Sequence, residues 1–246
     1  FDDSSNLNYK FERVKTRCYL DHIKKYTWPN VSSDLNCFGC LNYKLIKKTD
    51  YFFSRWFNKN IIIHEGGAVR VDYTCMKNIF EKSLLFSIRI FGKIIQTVGG
   101  NEYAPKRKKT SDLVLSLFTK KVEKKSLGNV NISLNQGYLF FIRENRNLNF
   151  GLNIKPNKHY IFDGRFIVKS SLEGKLVNCN NSNIELIDNK NPFYEYVDLI
   201  NNTIPYLETL EGRTIKPYLN IINHNSTSND VNDKCFCLYL INRVLV

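Results

Sequence analysis

Apolar and polar positions follow a helical period in the first part of the chain and a strand period after about residue 127. Across residues 9–26, Phe11, Val14, Cys18 and His22 recur at three- and four-residue spacing while Lys10, Arg13, Arg17 and Lys24 occupy another face. That pattern predicts an amphipathic helix with a basic outer stripe. A polar, turn-forming opening at residues 2–6 precedes it, and Trp28-Pro29 ends it. Ser32, Ser33 and Asp34 can cap a second helix whose apolar set is Leu35, Phe38, Leu45, Phe52 and Trp56, with Gly39 as an unfavourable residue inside it. Residues 61–71, with Glu65-Gly66-Gly67 at the centre, read as a small hairpin inserted between helices.

Helical spacing returns over residues 72–98, as two consecutive helices. Lys82, Arg89 and Lys93 share a face there, whereas Leu84, Ile88 and Phe91 point elsewhere, and Gly99 supplies a left-handed C-cap. After a turn at Pro105, Thr110 or Ser111 caps a short helix with Leu113, Val114, Leu117 and Phe118 as its buried stripe. Val130, Ile132 and Leu134 then alternate with polar residues, Asn135-Gln136-Gly137 turns, and residues 138–143 return as the second strand of a hairpin. Residues 160–168, 175–177, 184–187 and 235–246 are further strand candidates. Residues 194–200 fit either a strand or a short helix, because so short an apolar run does not fix the period. Residues 223–233 are polar enough for a mobile loop. The fold class is therefore α+β: a basic helical segment with a small hairpin to about residue 125, then a small β-rich domain at 126–246.

Charge separates the same two regions. The 246-residue chain has a net charge of +13, and residues 1–125 hold 24 Lys and Arg against 12 Asp and Glu, leaving +12 there and +1 in the rest. A basic field concentrated in one half favours a polyanion, since cations that neutralise phosphates release condensed counterions. The competing reading is a solvated basic surface in a chain rich in Lys and Asn. The sharpest feature is Lys106-Arg107-Lys108-Lys109, four adjacent cations beside Tyr103 on a loop stiffened by Pro105. Such a cluster can grip successive phosphates while the tyrosine ring offers a stacking surface. It also opposes the dipole of the helix that follows, which a bound anion would relieve. Arg17, Arg89 and Lys93 lie on other basic helix faces of the same half, so Arg17, Arg89, Lys93, Lys106, Arg107, Lys108 and Lys109 are the candidate phosphate contacts.

Other chemistries find less support. A 43% hydrophobic content suits a globular core, and no run of about 18 apolar residues predicts a membrane span, so the expectation is a soluble cytoplasmic protein without membrane contact. The chain opens on Phe1 without a secretory leader pattern and reads as cut from something longer. Seven cysteines point to reduced thiols. Cys37-Phe38-Gly39-Cys40 has the spacing of half a zinc site or of a redox pair, but Cys235 and Cys237 do not complete it and the four histidines are scattered. The thiols are accordingly read as small buried or half-buried groups, and no metal site is assigned. No phosphate loop, nucleophile elbow or zinc-protease helix is present, and His64-Glu65 faces opposite sides of a strand, so no complete catalytic site is visible.

Several segments, in order, resemble the bacterial tRNA(Ile)-lysidine synthases. Asp3-Ser4-Ser5-Asn6 followed by Arg13-Val14 and Arg17 is similar to that family's Asp-Pro-Ser-Asn element and Arg-rich helix, with Ser4 where the family has proline. Val98-Gly99-Gly100 with Tyr103-Ala104-Pro105-Lys106-Arg107 resembles its Val-Gly-Gly and Tyr-Pro-Pro-Arg-Arg segment. Phe141-Ile142-Arg143-Glu144-Asn145-Arg146 resembles its Arg-Glu-x-Arg strand, and Phe162-Asp163-Gly164-Arg165-Phe166 its Trp-Asp-Gly-Arg-Phe. Ile204-Pro205-Tyr206-Leu207 and Ile215-Lys216-Pro217-Tyr218-Leu219 are similar to its closing motif. The resemblance implies an ATP-dependent ligase that adenylates the wobble cytidine of a minor isoleucine tRNA and attaches lysine as co-substrate. Its ATP, with Mg2+, sits on a Ser-Gly-Gly-x-Asp-Ser loop upstream of these motifs, and this sequence contains no such loop. What the resemblance implies for this chain is the end of an ATP-pyrophosphatase-like domain at 1–16, then a C-terminal portion made of a helical tRNA-binding region at 17–125 and the β-rich domain at 126–246. Asp163 and Arg165, in contrast to the candidate phosphate contacts, are read as fixing a β-turn. The alternative is a stand-alone, non-catalytic RNA-binding module.

Overall fold

A computed structural model describes residues 8–120, 122–178, 192–221 and 236–240. The polar opening at 2–6, the strand expected at 184–187, the loop expected at 223–233, Lys121 and Cys235 lie outside them. The chain divides into two compact units, Phe1–Phe53 and Ser54–Val246.

In the first unit, α1 (Glu12–Tyr26) and α2 (Val31–Asn60, continuing into the second unit) occupy the expected helical stretches. Gly39 does not interrupt α2, whose 30 residues contain no proline. The expected buried stripes are not found. Val14, Val31 and Phe53 are buried, but Phe11, Leu35, Phe38, Leu45 and Phe52 are exposed, Phe38 at 64%. Helical spacing located the helices correctly; it did not supply a partner for the apolar face. Three thiols differ from expectation, since Cys18, Cys37 and Cys40 are exposed, whereas Cys75 is half-buried as expected.

The second unit is organised around a five-stranded antiparallel sheet in the order β1 (Ile61–Ile63), β2 (Val69–Asp72), β5 (Tyr138–Arg143), β4 (Val130–Asn135) and β3 (Lys124–Leu127). The hairpin at 61–72 is thus not a separate insertion: Val69 pairs with Phe141 and Val71 with Leu139, joining residues on both sides of position 125. β5 reads Tyr-Leu-Phe-Phe-Ile-Arg without polar alternation because both of its faces are covered. Phe141 meets Phe91, on the helix α4 (Leu84–Val98), at 5.4 Å, whereas Phe140 and Ile142 join an apolar cluster with Phe162, Phe166, Leu176, Ile204 and Leu207.

Residues 72–98 form the two expected helices, α3 (Tyr73–Lys82) and α4. Asp72 caps the first by accepting from the Cys75 N–H, and Ser83 caps the second through Phe86. Lys82 ends α3 and so does not share a face with Arg89 and Lys93, which are on α4. The left-handed residue after α4 is Gly100, at φ 65°, and not Gly99, at φ −78°. α5 (Arg107–Phe118) buries Leu113, Val114, Leu117 and Phe118 as expected.

Among the described residues of this unit there are also two four-stranded sheets. One runs β11 (Thr214–Ile215), β10 (Pro205–Thr209), β9 (Gly174–Asn178), β6 (Asn153–Ile154); the other runs β12 (Tyr218–Ile221), β13 (Phe236–Leu240), β8 (Phe166–Ser170), β7 (His159–Phe162). The stretch 160–168 is therefore two strands around a turn. Residues 194–200, whose short apolar run fits a strand or a helix, lie in a 3₁₀ turn, Tyr194–Tyr196, and α6 (Val197–Asn201). The α+β class holds.

Candidate nucleic-acid interface

Three of the candidate cations converge on one groove. α4 presents Leu85, Ile88, Arg89, Gly92, Lys93 and Gln96 along a single face, as i, i+3, i+4 and i+7 spacing requires. Opposite stand Ala104 and Pro105 of the connecting loop, with Arg107 and Thr110 of α5. The space between them is about 390 Å³. Its lining carries Arg89, Lys93 and Arg107 and no carboxylate, so the groove wall itself is cationic. Ile88 lies beside Arg89 in this floor instead of pointing elsewhere as the spacing suggested. Arg89 and Lys93 are half-buried.

The basic cluster belongs to a helix end. α5 starts at Arg107, so Arg107, Lys108 and Lys109 form its first turn and Lys106 is the N-cap. Neither Thr110 nor Ser111 caps the helix: Thr110 is buried and its hydroxyl donates to the Lys106 carbonyl. There is no side-chain cap and no acidic residue in the first turn. Backbone N–H groups and three cations thus point the same sign of charge at one end of the helix, an arrangement that an anion stabilises. Lys106, Lys108 and Lys109 are exposed beside the groove and Tyr103 is 75% exposed on the loop leading to it. Arg17 is exposed on α1, in the first unit.

The loop that forms the groove wall is anchored by a buried polar node. A Cβ on Gly100 would lie 1.8 Å from the Asp163 carbonyl oxygen, and one on Gly164 2.2 Å from that of Gly100, so these two backbones touch directly. Asp163 (φ 51°) and Gly164 (φ 63°) form the turn between β7 and β8, closed by the Arg165 N–H donating to the Phe162 carbonyl at 3.0 Å. Arg143, 3% exposed, donates through Nε and Nη2 to both Asp163 carboxylate oxygens at 2.9 and 2.8 Å. Arg165, 1% exposed, donates to the same carboxylate at 2.7 Å and to the carbonyls of Gly66 and Thr203. Burial lowers the Arg165 pKa to about 10, with Asp163 opposing the shift. The Asn101 amide donates to the Gly128 carbonyl, and the Gln96 amide to that of Glu102 at 2.7 Å, so adjacent loop residues are tied to the β3–β4 turn and to α4.

The expected role of Asp163 and Arg165 in a turn agrees with this geometry. The sequence marks Arg143 only as part of an Arg-Glu-x-Arg motif at the end of an apolar run, with no role attached, and does not single out Gly92 or Gln96. Among the described residues there is no group of three or more His, Cys, Asp or Glu that could hold a metal ion, and no glycine-rich phosphate loop, so no step of ATP chemistry is derived from this chain. Nor is any helix among them long and apolar enough to cross a membrane. Comparison with protein-family models, with curated proteins and with solved structures finds no match to this chain.

Proposed function

We propose that this chain is the tRNA-binding portion of a tRNA(Ile)-lysidine synthase and that the α4–α5 groove with the first turn of α5 is where it holds the RNA backbone. The observation that carries the RNA part is the convergence of Arg89, Lys93 and Arg107 on a groove whose lining includes no carboxylate, next to three more lysines. The family part is supported by the meeting of segments distant in sequence: Gly100, Arg143 and Asp163-Gly164-Arg165 form one node. In this reading ATP and lysine are handled by the family's nucleotide-binding domain, and this chain supplies affinity and orientation through phosphate contacts, which position without reading sequence.

The test is fluorescence anisotropy of a labelled minor isoleucine tRNA transcript, titrated at several salt concentrations. Replacing Lys106, Arg107, Lys108 and Lys109 together with Ala should weaken binding and flatten the slope of log K against log salt by about 0.7–0.9 for each phosphate that is no longer neutralised. Unchanged affinity and slope would remove the cluster from the interface. A Ser-Gly-Gly-x-Asp-Ser loop encoded upstream in the same gene would separate the synthase from a stand-alone RNA-binding module, since phosphate contacts alone give no preference between transcripts.

A further inference from the structure

The groove between α4 and α5 combines apolar and cationic lining. Leu85, Ile88, Gly92, Ala104 and Pro105 supply the apolar part, and Arg89, Lys93 and Arg107 the positive charge. A duplex backbone offers phosphates and sugar edges, which need the cations and have no use for an apolar slot. An unstacked nucleotide offers both parts: a flat, weakly polar base and the phosphates on either side of it. The volume of about 390 Å³ lies within the roughly 300–1,000 Å³ of sites that enclose small organic groups. Gly92 makes the depth possible, since a Cβ there would already reach van der Waals contact, 3.7 Å, with the Ala104 side chain. Arginine planes and a proline ring are also surfaces on which a base can stack.

We infer that the α4–α5 groove takes the base of one unstacked nucleotide, with its flanking phosphates on Arg89, Lys93 and Arg107, so that the chain selects single-stranded loops over duplex. This rests on the RNA-binding reading above and deepens it. The slot excludes water from the base, and the three cations fix the sugar-phosphate direction. Selection is by structure of the RNA and not by the identity of the base, because the lining offers few groups to read a base edge; the Gln96 amide is already committed to the Glu102 carbonyl.

The test uses the full 246-residue chain and two labelled RNAs with the same number of phosphates, a hairpin with an open loop and a blunt duplex, compared at one salt concentration. The hairpin should bind on the order of tenfold more tightly, the scale of one stacked base. Gly92→Leu fills the slot from the helix side and Ala104→Leu from the exposed loop side. Either should bring the hairpin down to the affinity of the duplex while leaving the salt slope unchanged. Gly92→Leu enters a buried helix position, so Ala104→Leu, on an exposed residue, serves as the variant that preserves the fold. Arg89→Ala should instead weaken both RNAs and flatten both slopes. Equal wild-type affinities for hairpin and duplex, or a hairpin preference that survives Ala104→Leu, overturns the slot while leaving the phosphate surface standing. Failure of the wild-type chain to bind either RNA overturns the RNA-binding reading itself.

Discussion

Replacing Asp163 by Asn keeps the shape of the side chain and removes the one carboxylate that faces two buried guanidinium groups. Asp163 accepts three hydrogen bonds from Arg143 and Arg165, at 2.7–2.9 Å, and both arginines are almost inaccessible to water. Removing one partner of a buried ion pair costs about 3–5 kcal/mol, because the remaining charge stays desolvated. That is a large part of the roughly 5–15 kcal/mol that holds a domain folded. With a urea slope of about 3 kcal/mol per molar, the midpoint of unfolding should fall by about 1–2 M. The chain has two tryptophans, Trp28 in the first unit and Trp56 in the second. A Trp28→Phe background therefore makes the fluorescence of Trp56 report the unit that contains the node. The loss should be the same at low and high salt, since buried charges are poorly screened. A loss under about 1 kcal/mol, well short of the buried-pair range, or one that salt abolishes, would refute the claim that Asp163 compensates both arginines.

Gly100→Ala should destabilise the second unit far more than Gly137→Ala, compared by the same urea titration. Both residues have positive φ, but a Cβ at Gly100 meets the Asp163 carbonyl while one at Gly137 meets nothing within 4 Å, so only backbone strain of about 1–2 kcal/mol is expected at the latter. His64 accepts the Gly66 N–H through Nδ1 and packs its ring edge against Phe193, and burial holds its pKa below the ordinary 6.5. The unfolded chain then takes up the proton first, so this contribution is complete above about pH 6.5 and is lost as pH falls below it. Denaturation of wild type and His64→Asn at about pH 7.5 and about pH 5, on either side of that range, should show the stability difference shrinking in acid; Glu65, whose pKa burial raises, is common to both proteins and cancels.

Residues whose environment is set by their own helix or strand were legible in the sequence. Leu113, Val114, Leu117 and Phe118 follow the helical period and are buried, and the alternation from Val130 to Leu134 with Asn135-Gln136-Gly137 specifies β4 and β5. Position within a turn was less legible, because Gly99 and Gly100 are both glycine and only packing tells them apart: Gly99 gives room to the Gly128 carbonyl, Gly100 supplies the positive φ. The first unit shows the limit of periodicity. Phe38 and Leu45 lie on a helix as expected and yet face solvent, since spacing defines a face and not what lies against it. The groove was half visible: the charge pattern marks Arg89, Lys93 and Arg107, while the apolar slot depends on Gly92 and Ala104 coming together across a loop, which no local pattern records.

The node also constrains the order in which the second unit can be built. Arg165 draws its acceptors from Gly66, 99 positions earlier, and from Thr203, 38 positions later. Pairings so distant along the chain form only after long loops have closed, a step that is slow because its entropic cost precedes any gain. During synthesis the guanidinium of Arg165 has no carbonyl from Thr203 until the ribosome has passed that residue. Cooperative closure of this unit is therefore a late event, and a chain halted short of Thr203 holds an arginine whose burial nothing yet rewards.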